Sequence, residues 1–310
     1  MVDSCLDCAA CNRGEEQKCL KQVGTYNGRD NGSGRAASYP AGSQTLGGYT
    51  TTMVVHEHFA IKIPADYPLE FAGPVMCAGI TMYDPLVRYG ATKGTKVGIV
   101  GLGGLGQMGV RLGKALGCEV TAISRGEGKR ALATECGADH YLVSSDAKAM
   151  EAAHGTLDLI LNTISTDHDY HAYTKLTTHT GGKHIVLGLN SVLGAALLVD
   201  TMVCGTSRVK FSGIGGIKNT QAVIDLCAEH NIRPEIKLIG VHELNSAYEA
   251  LEKGNDAGVR FVLDIAGTLN EEAFAKCTAP APDLSTGGTG MTTWGMLSTA
   301  AGMLFTGKWI

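Results

Sequence analysis

Four cysteines lie within the first nineteen residues, spaced Cys5-x2-Cys8-x2-Cys11-x7-Cys19. Thiolates are soft ligands, and four of them on a compact loop suit a tetrahedral zinc that folds the loop around itself. Four protein thiolates leave no open coordination position, so such a zinc would be structural rather than catalytic. Two other uses compete. Disulfides would need these short spacings to bridge, and an iron–sulfur cluster would need a spacing that matches neither common ferredoxin pattern.

A second pattern is Gly101-Leu102-Gly103-Gly104-Leu105-Gly106, which directly follows the apolar run Lys96-Val-Gly-Ile-Val100 and precedes an amphipathic segment. In a strand–turn–helix unit each glycine has a task. The first permits the tight turn, the second lets the backbone approach a pyrophosphate, and the third lets helix and strand pack closely. A diphosphate would then rest on the free N–H groups of the helix start, where the dipole favours negative charge.

Cofactor choice is read where the second strand ends. An acidic residue there binds the ribose 2′-hydroxyl of NAD, but Glu119-Val-Thr-Ala-Ile-Ser124-Arg125 ends on Ser124, with Arg125 next and Lys129 following. Glu119 stands at the wrong end of the strand. A hydroxyl flanked by two cations suits a 2′-phosphate, so NADP is expected. The competing reading leaves Arg125 and Lys129 as solvated surface charges, with Glu127 in a loop beside them.

These residues need elements to hold them. From Lys96 onward, strand-length runs alternate with helix-length runs, which argues for βαβ units and a parallel sheet. Strands are expected at Lys96–Val100, Val120–Ser124, His140–Val143, Leu157–Leu161, Lys183–Leu187 and Val209–Ser212. Helices are expected at Leu105–Leu116, Lys129–Cys136, Asp167–Leu176 and Thr220–His230. Short strands then resume at Glu235–Leu238 and Arg260–Asp264, around a helical run Leu244–Lys253. Before Lys96 the chain reads as loops and short strands, with β-like runs at Thr51–Val55 and Phe59–Ile63 and a largely irregular Lys21–Gly48. The stretch Leu284–Gly307 carries no charge and is rich in Gly, Thr and Ser. That dilution is poor for a membrane anchor, so a loosely ordered extension is expected.

Composition narrows the function classes. The chain has 310 residues, 44% of them hydrophobic, and a formal net charge of −4. No Lys/Arg run is long enough to follow a phosphate backbone, so nucleic acid is not an expected partner. The N-terminal residues lack a basic region followed by an apolar stretch, so no signal peptide is expected. Of ten cysteines, six (Cys77, Cys118, Cys136, Cys204, Cys227, Cys277) are scattered singly in apolar contexts. This fits a reducing compartment, and a cytoplasmic protein is expected.

Taken together, the ordered motifs resemble the zinc-dependent medium-chain dehydrogenase/reductase superfamily, in its cinnamyl alcohol dehydrogenase branch. The resemblance rests on Val2-Asp-Ser-Cys-Leu-Asp-Cys8 with Gly14-Glu-Glu-Gln-Lys-Cys19, then Gly47-Gly-Tyr49 and Met76-Cys-Ala-Gly-Ile-Thr-Met-Tyr83. It continues through Gly98–Gly106, Gly137-Ala-Asp139, Ser212-Gly-Ile-Gly-Gly-Ile-Lys218 and Arg260-Phe-Val-Leu-Asp264. It spans residues 1 to 268. The implied fold is α/β, a Rossmann doubly wound parallel sheet plus the remainder of a GroES-like β-rich catalytic domain. Implied boundaries are 1–78 for the partial catalytic domain with its zinc lobe, 79–216 for the NADP-binding domain, 217–268 for the return, and 269–310 for an extension.

The resemblance also assigns residues. Cys5, Cys8, Cys11 and Cys19 match the structural-zinc lobe, and Cys77 matches one ligand of the catalytic zinc. Thr81 falls at the nicotinamide end of the cofactor. Gly101 to Gly106 match the pyrophosphate loop, and Ser124, Arg125 and Lys129 the 2′-phosphate segment. Thr163, Gly188, Ser212, Gly213 and Ile214 match later cofactor contacts. The remaining catalytic-zinc ligands and the proton-relay groups belong, in the family, to a segment ahead of the lobe, so an N-terminally incomplete dehydrogenase is expected. His56 and His58 offer themselves as substitute ligands, but the resemblance places them, solvated, on a surface strand edge. The expected activity is NADP-dependent reduction of aldehydes and oxidation of alcohols, weak in this chain; a homodimer is a compatible assembly. Two rival readings are a catalytically silent NADP-binding, zinc-stabilised module and a zinc-independent reductase, which the intact cysteine lobe opposes.

Overall fold

The computed structural model describes residues 1–29, 44–53, 55–188, 208–253, 258–270 and 272. The stretch 284–307, Cys204, Cys277 and Val54 lie outside these residues. The chain forms two compact units, one of Met1–Ile61, Ile236–Asn255 and Phe261–Ile310, the other of Lys62–Glu235 and Asp256–Arg260.

The first unit opens on the cysteine lobe, which is closed at its base where Val2 N–H donates to Val23 O and Val23 N–H to Asp3 O. Two single 3-10 turns, Cys11–Arg13 and Glu16–Lys18, carry the lobe between them. Strands β1 (Tyr26–Arg29) and β2 (Gln44–Leu46) then pair antiparallel, so the stretch expected to be irregular holds a short ladder. The β-like run expected at Phe59–Ile63 is not a strand. Glu57–Phe59 is a 3-10 turn, because the His56 ring Nδ1 accepts the His58 N–H and bends the chain there. Thr51–Met53 of the other expected run is not a strand either.

The second unit begins with a helical run that periodicity did not single out. Helix α1 (Leu69–Pro74) continues through one π-helical turn (Val75–Gly79) into α2 (Ile80–Arg88). The expected boundary at 78/79 thus falls within continuous helix. Strand β3 (Lys96–Val100), helix α3 (Gly104–Ala115) and strand β4 (Glu119–Ser124) follow. Next come α4 (Arg130–Glu135), β5 (His140–Val143), α5 (Ala147–Ala152), β6 (Leu159–Asn162) and α6 (Tyr170–Thr174). Strands β7 (Lys183–Val186) and β8 (Val209–Phe211) precede α7 (Ile217–Glu229). Helix α6 is shorter than expected because the Asp169 carboxylate accepts from His171 and Ala172 N–H and sets the start there.

All six strands β3–β8 are parallel, in the order β5-β4-β3-β6-β7-β8. The order reverses between β3 and β6, and a ligand crevice is expected outside the carboxyl ends at such a switch point. The central strands are apolar on both faces; β6 is buried at every position. Val100, Ile123, Leu157, Ile160, Tyr173 and Leu176 pack as one core cluster beneath that edge.

The chain then forms β9 (Ile236–Ile239), α8 (Leu244–Lys253), β10 (Arg260–Leu263) and α9 (Ile265–Thr268), which apart from Arg260 belong to the first unit, with β9 and β10 forming a two-stranded sheet. Among the described residues, no helix is long and apolar enough to cross a membrane.

Candidate functional site

In the lobe, the four thiols converge. The Sγ atoms of Cys5, Cys8, Cys11 and Cys19 all lie within 4.8 Å of one another. Recorded separations are 4.0 Å for Cys5–Cys11, 3.6 Å for Cys8–Cys11 and 3.5 Å for Cys5–Cys19. A tetrahedron with metal–sulfur bonds of about 2.3 Å has edges of about 3.8 Å, so these spacings fit zinc. They are far longer than a disulfide bond of about 2.05 Å, and all four cysteines are free.

Local backbone prepares the thiols for thiolate chemistry. N–H groups of Asp7 and Cys8 aimed at Cys5 Sγ bring its pKa down to about 6, and the Cys11 N–H lowers that of Cys8. Burial pushes Cys11 the other way, to about 12, against a contact from Ser4 Oγ at 3.4 Å. Lys21 N–H donates to Cys19 Sγ at 3.3 Å. Beside the lobe, the buried Glu16 carboxylate meets His58 Nε2 at 2.9 Å. His58 is exposed, as expected, but it stands in a 3-10 turn rather than on a strand edge and pairs with Glu16, a partner that the spacing of His56 and His58 does not signal.

The sheet edge is built from backbone. Gly101 sits at φ +87°, and a Cβ there would lie 2.7 Å from Thr163 Oγ1. A Cβ on Gly106 would lie 1.8 Å from Gly101 O, which explains why the turn and helix can touch only as glycine. Gly103, by contrast, faces open space, with nothing within 4 Å of an added Cβ. Leu102 and Leu105 are buried beneath, and Gly104 starts α3. The N–H groups of that first turn point out of the helix start.

The other expected positions gather along the same unit. Ser124 ends β4, Arg125 is exposed, and Lys129 Nζ reaches Leu102 O at 3.5 Å. Glu127 is engaged by Arg130 at 2.5 and 2.8 Å, which lowers its pKa, and Arg130 in turn stacks 4.6 Å from the Tyr141 ring centroid. Thr163 donates to Val100 O through N–H and hydroxyl at 3.0 and 2.8 Å. Gly188 packs so closely that a Cβ would lie 2.1 Å from Ile164 O. Gly213 is exposed, and Ile214 takes φ +41°, a left-handed backbone that β-branched residues rarely adopt.

Two buried hydroxyls here have no hydrogen-bond partner among the described residues, Thr81 Oγ1 and Ser212 Oγ. Buried polar atoms are nearly always satisfied, so each of these hydroxyls is a group able to take a polar ligand. The donor set fits a dinucleotide. Arg260 was read only as part of a strand motif, yet it is buried against the start of α3, its Nε 3.3 Å from a Cβ on Gly104. Nothing in local sequence could announce that approach.

Cys77 lies in the π-helical turn, half-buried, and accepts from Arg260 Nη1 at 3.8 Å. Among the described residues the lobe is the only group of three or more Cys, His, Asp or Glu ligands close enough for one metal ion, and neither Cys77 nor His56 nor His58 belongs to it. The described residues do not fit a catalytic zinc.

Comparison with known proteins agrees with this geometry. A family model described as zinc-binding dehydrogenase matches residues 104–229. A probable mannitol dehydrogenase of Medicago sativa is 41% identical over 272 residues, covering 87% of this chain and 72% of that protein. Probable cinnamyl alcohol dehydrogenase 6 of Arabidopsis thaliana is 42% identical, covering 87% and 71%. Among solved structures, a cinnamyl alcohol dehydrogenase from Sorghum bicolor superposes with a TM-score of 0.74 at 37% identity, covering 86% of this chain and 73% of that one. The Helicobacter pylori enzyme complexed with NADP(H) gives 0.73 at 37% identity, covering 86% and 74%. With its doubly wound sheet, glycine turn and thiol lobe, the chain belongs to the zinc-dependent medium-chain dehydrogenase/reductase superfamily, in the cinnamyl alcohol dehydrogenase branch, and is an alcohol dehydrogenase by kinship.

Proposed function

We propose that this chain binds NADP(H) along the carboxyl edge of β3–β8, holds one structural zinc on Cys5, Cys8, Cys11 and Cys19, and acts on small alcohols and aldehydes. The observation that carries the reading is the orphaned Thr81 hydroxyl together with the open face of Gly103 in the glycine turn that leads into α3. The diphosphate would lie over Gly101–Gly106, with the α3 N–H groups and Arg260 facing its charge. Ser124, Arg125 and Lys129 would take the 2′-phosphate. Glu127, its charge engaged by Arg130, does not oppose that phosphate. Thr81, Thr163, Gly188, Ser212, Gly213 and Ile214 would line the path toward the nicotinamide. When bound, the nicotinamide supplies hydride chemistry, and the protein supplies orientation and charge.

Fluorescence titration with NADPH and NADH tests the cofactor reading. NADPH is expected to bind more tightly, and Ser124→Asp is expected to reverse the preference, since a carboxylate repels the 2′-phosphate and accepts from a 2′-hydroxyl. Equal affinities for the two nucleotides would refute it.

A second reading, a silent NADP-binding module, is favoured by Cys77 standing, among the described residues, outside any metal-sized ligand group and facing a guanidinium. Zinc content and NADPH oxidation with cinnamyl, benzyl and aliphatic aldehydes separate the two. Turnover supports the enzyme; one zinc with NADPH binding but no turnover supports the module.

A further inference from the structure

The carboxyl end of β6 carries a buried asparagine that no motif marks. Asn162 is 0% exposed, and so is His184 on the neighbouring strand β7. Asn162 Nδ2 lies 2.9 Å from His168 Nε2 and 3.1 Å from His184 Nε2, while Oδ1 accepts from Ile164 N–H at 3.1 Å. His184 Nδ1 is 2.8 Å from Thr174 Oγ1, whose hydroxyl donates to Tyr170 O at 2.9 Å. His168 Nδ1 is 2.7 Å from Thr166 O.

The protons on these contacts can be arranged in one way. Carbonyl oxygens only accept, so His168 Nδ1 must carry a proton, and the Thr174 hydroxyl donates to Tyr170 O. That leaves Thr174 Oγ1 as an acceptor, so His184 Nδ1 carries a proton too. The Ile164 N–H fixes the amide of Asn162 with its oxygen toward the loop, which turns both Nδ2 protons onto the two Nε2 atoms. Both histidines are therefore neutral Nδ1–H tautomers, and the amide cannot flip without setting its NH2 against another N–H.

The backbone of the same residue reaches the cofactor edge. Asn162 O accepts from Leu187 N–H at 2.9 Å and Gly188 N–H at 3.4 Å. The next two residues are wedged between glycines, Thr163 Oγ1 against Gly101 and Ile164 O against Gly188. Asn162 thus holds three expected cofactor positions, Gly101, Thr163 and Gly188, in one register.

We propose that Asn162, clamped by His168 and His184 in fixed tautomers, is a positioning residue for dinucleotide binding that holds the Thr163–Ile164 turn between Gly101 and Gly188. The proposal rests on the reading of that edge as the NADP(H) site. An amide is required because only it donates twice and accepts once at this point; a carboxylate would place acceptors against both Nε2 atoms.

The test combines histidine nitrogen NMR with NADPH titration on the full chain. In protein labelled with 15N at its histidines, His168 and His184, assigned by loss of their signals in His168→Leu and His184→Leu, should both show the Nδ1–H tautomer. Asn162→Ala should bind NADPH about tenfold more weakly, the loss of a turn held by one to two buried hydrogen bonds. Asn162→Asp keeps an acceptor for Ile164 N–H, so it should bind better than Asn162→Ala and shift both histidines toward Nε2-protonated forms. If Asn162→Ala fails to fold, His168→Leu, which removes the half-buried arm of the clamp and keeps an apolar side chain against the Tyr170 and Tyr173 rings, should still weaken binding about two- to threefold. Nε2–H tautomers in the parent chain, or unchanged NADPH affinity in the folded variants, would overturn the proposal while leaving the cofactor reading intact. Absence of NADPH binding in the parent chain would instead overturn the cofactor reading, and this proposal with it.

Discussion

In the lobe around Cys5–Cys19 the groups that do the work are side chains, four thiols gathered by turns of a few residues each. At the carboxyl edge of β3–β8 they are mostly backbone: glycine turns, the N–H groups of a helix start and carbonyls that lock loops together. The lobe has scarcely any apolar core, its buried cluster being the cysteines themselves. The sheet edge stands on strands buried on both faces. The contrast teaches where stability resides. A region with no core must gain it from a ligand, whereas a region with a core can hold an open ligand face in readiness.

The largest expected effect breaks one side of this contrast alone. Cys8→Ser should release the lobe's zinc and disorder residues 2–23, because structural zinc in small sites contributes about 10 kcal/mol or more to folding. Elemental analysis and NADPH titration of the same sample check it. Loss of metal with NADPH affinity retained is expected; full zinc content would show that the thiols are not the ligands.

The opposite break is Gly106→Ala. Its Cβ would sit 1.8 Å from Gly101 O, a backbone atom that no rotamer can move. A destabilisation of about 3 kcal/mol is expected, with NADPH binding lost and zinc content unchanged. Urea unfolding measures it. An unaltered midpoint would mean that the close approach of turn and helix is not required.

A smaller effect sharpens the picture of how the sheet is braced. Asp139 accepts from Val120 N–H at 2.7 Å and from Lys114 Nζ at 2.7 and 2.8 Å. Burial pushes its carboxyl up, but the Lys114 ammonium and the Val120 N–H outweigh that, and its pKa lies below the ordinary value. A folded-state pKa that is depressed gives stability present above the unfolded pKa, about 4, and lost as pH falls through the folded one. Asp139→Asn should therefore cost roughly 0.5 kcal/mol at pH 7, a small figure because the pair is about one-third exposed. The difference in urea midpoints should shrink between pH 5 and pH 3. A difference constant across that range would assign the effect to hydrogen bonding alone.

Much of both regions was legible from the residues. Cysteine spacing announced the lobe, because ligands on one short loop meet wherever the rest of the chain goes. The glycine turn after Lys96–Val100 announced the sheet edge, because strand, turn and helix are neighbours in sequence. The strand pattern from Lys96 was also readable, apolar runs being what a sheet covered on both faces demands. The run before it is not legible in the same way: the short apolar stretch at Phe59–Ile63 suits a strand by composition, yet the His56 ring nitrogen Nδ1 accepts the His58 N–H and the chain turns there as a 3-10 helix. The helical run Leu69–Arg88 went unread because Pro74 and Pro85 interrupt its pattern, although tertiary packing carries it through.

By itself, then, the sequence determined the contents of each region: four thiols, a glycine turn between strand and helix, a hydroxyl flanked by cations at Ser124, and a parallel α/β order. Tertiary structure alone decided who meets whom across long separations. It brought Arg260 to the start of α3 and to Cys77. It set His58 against Glu16 and closed Asn162 between two histidines. The physical reason is that ligand spacing and turn chemistry act over a few residues and leave a local trace. A hydrogen bond between distant residues leaves none until burial forces each polar group to find a partner.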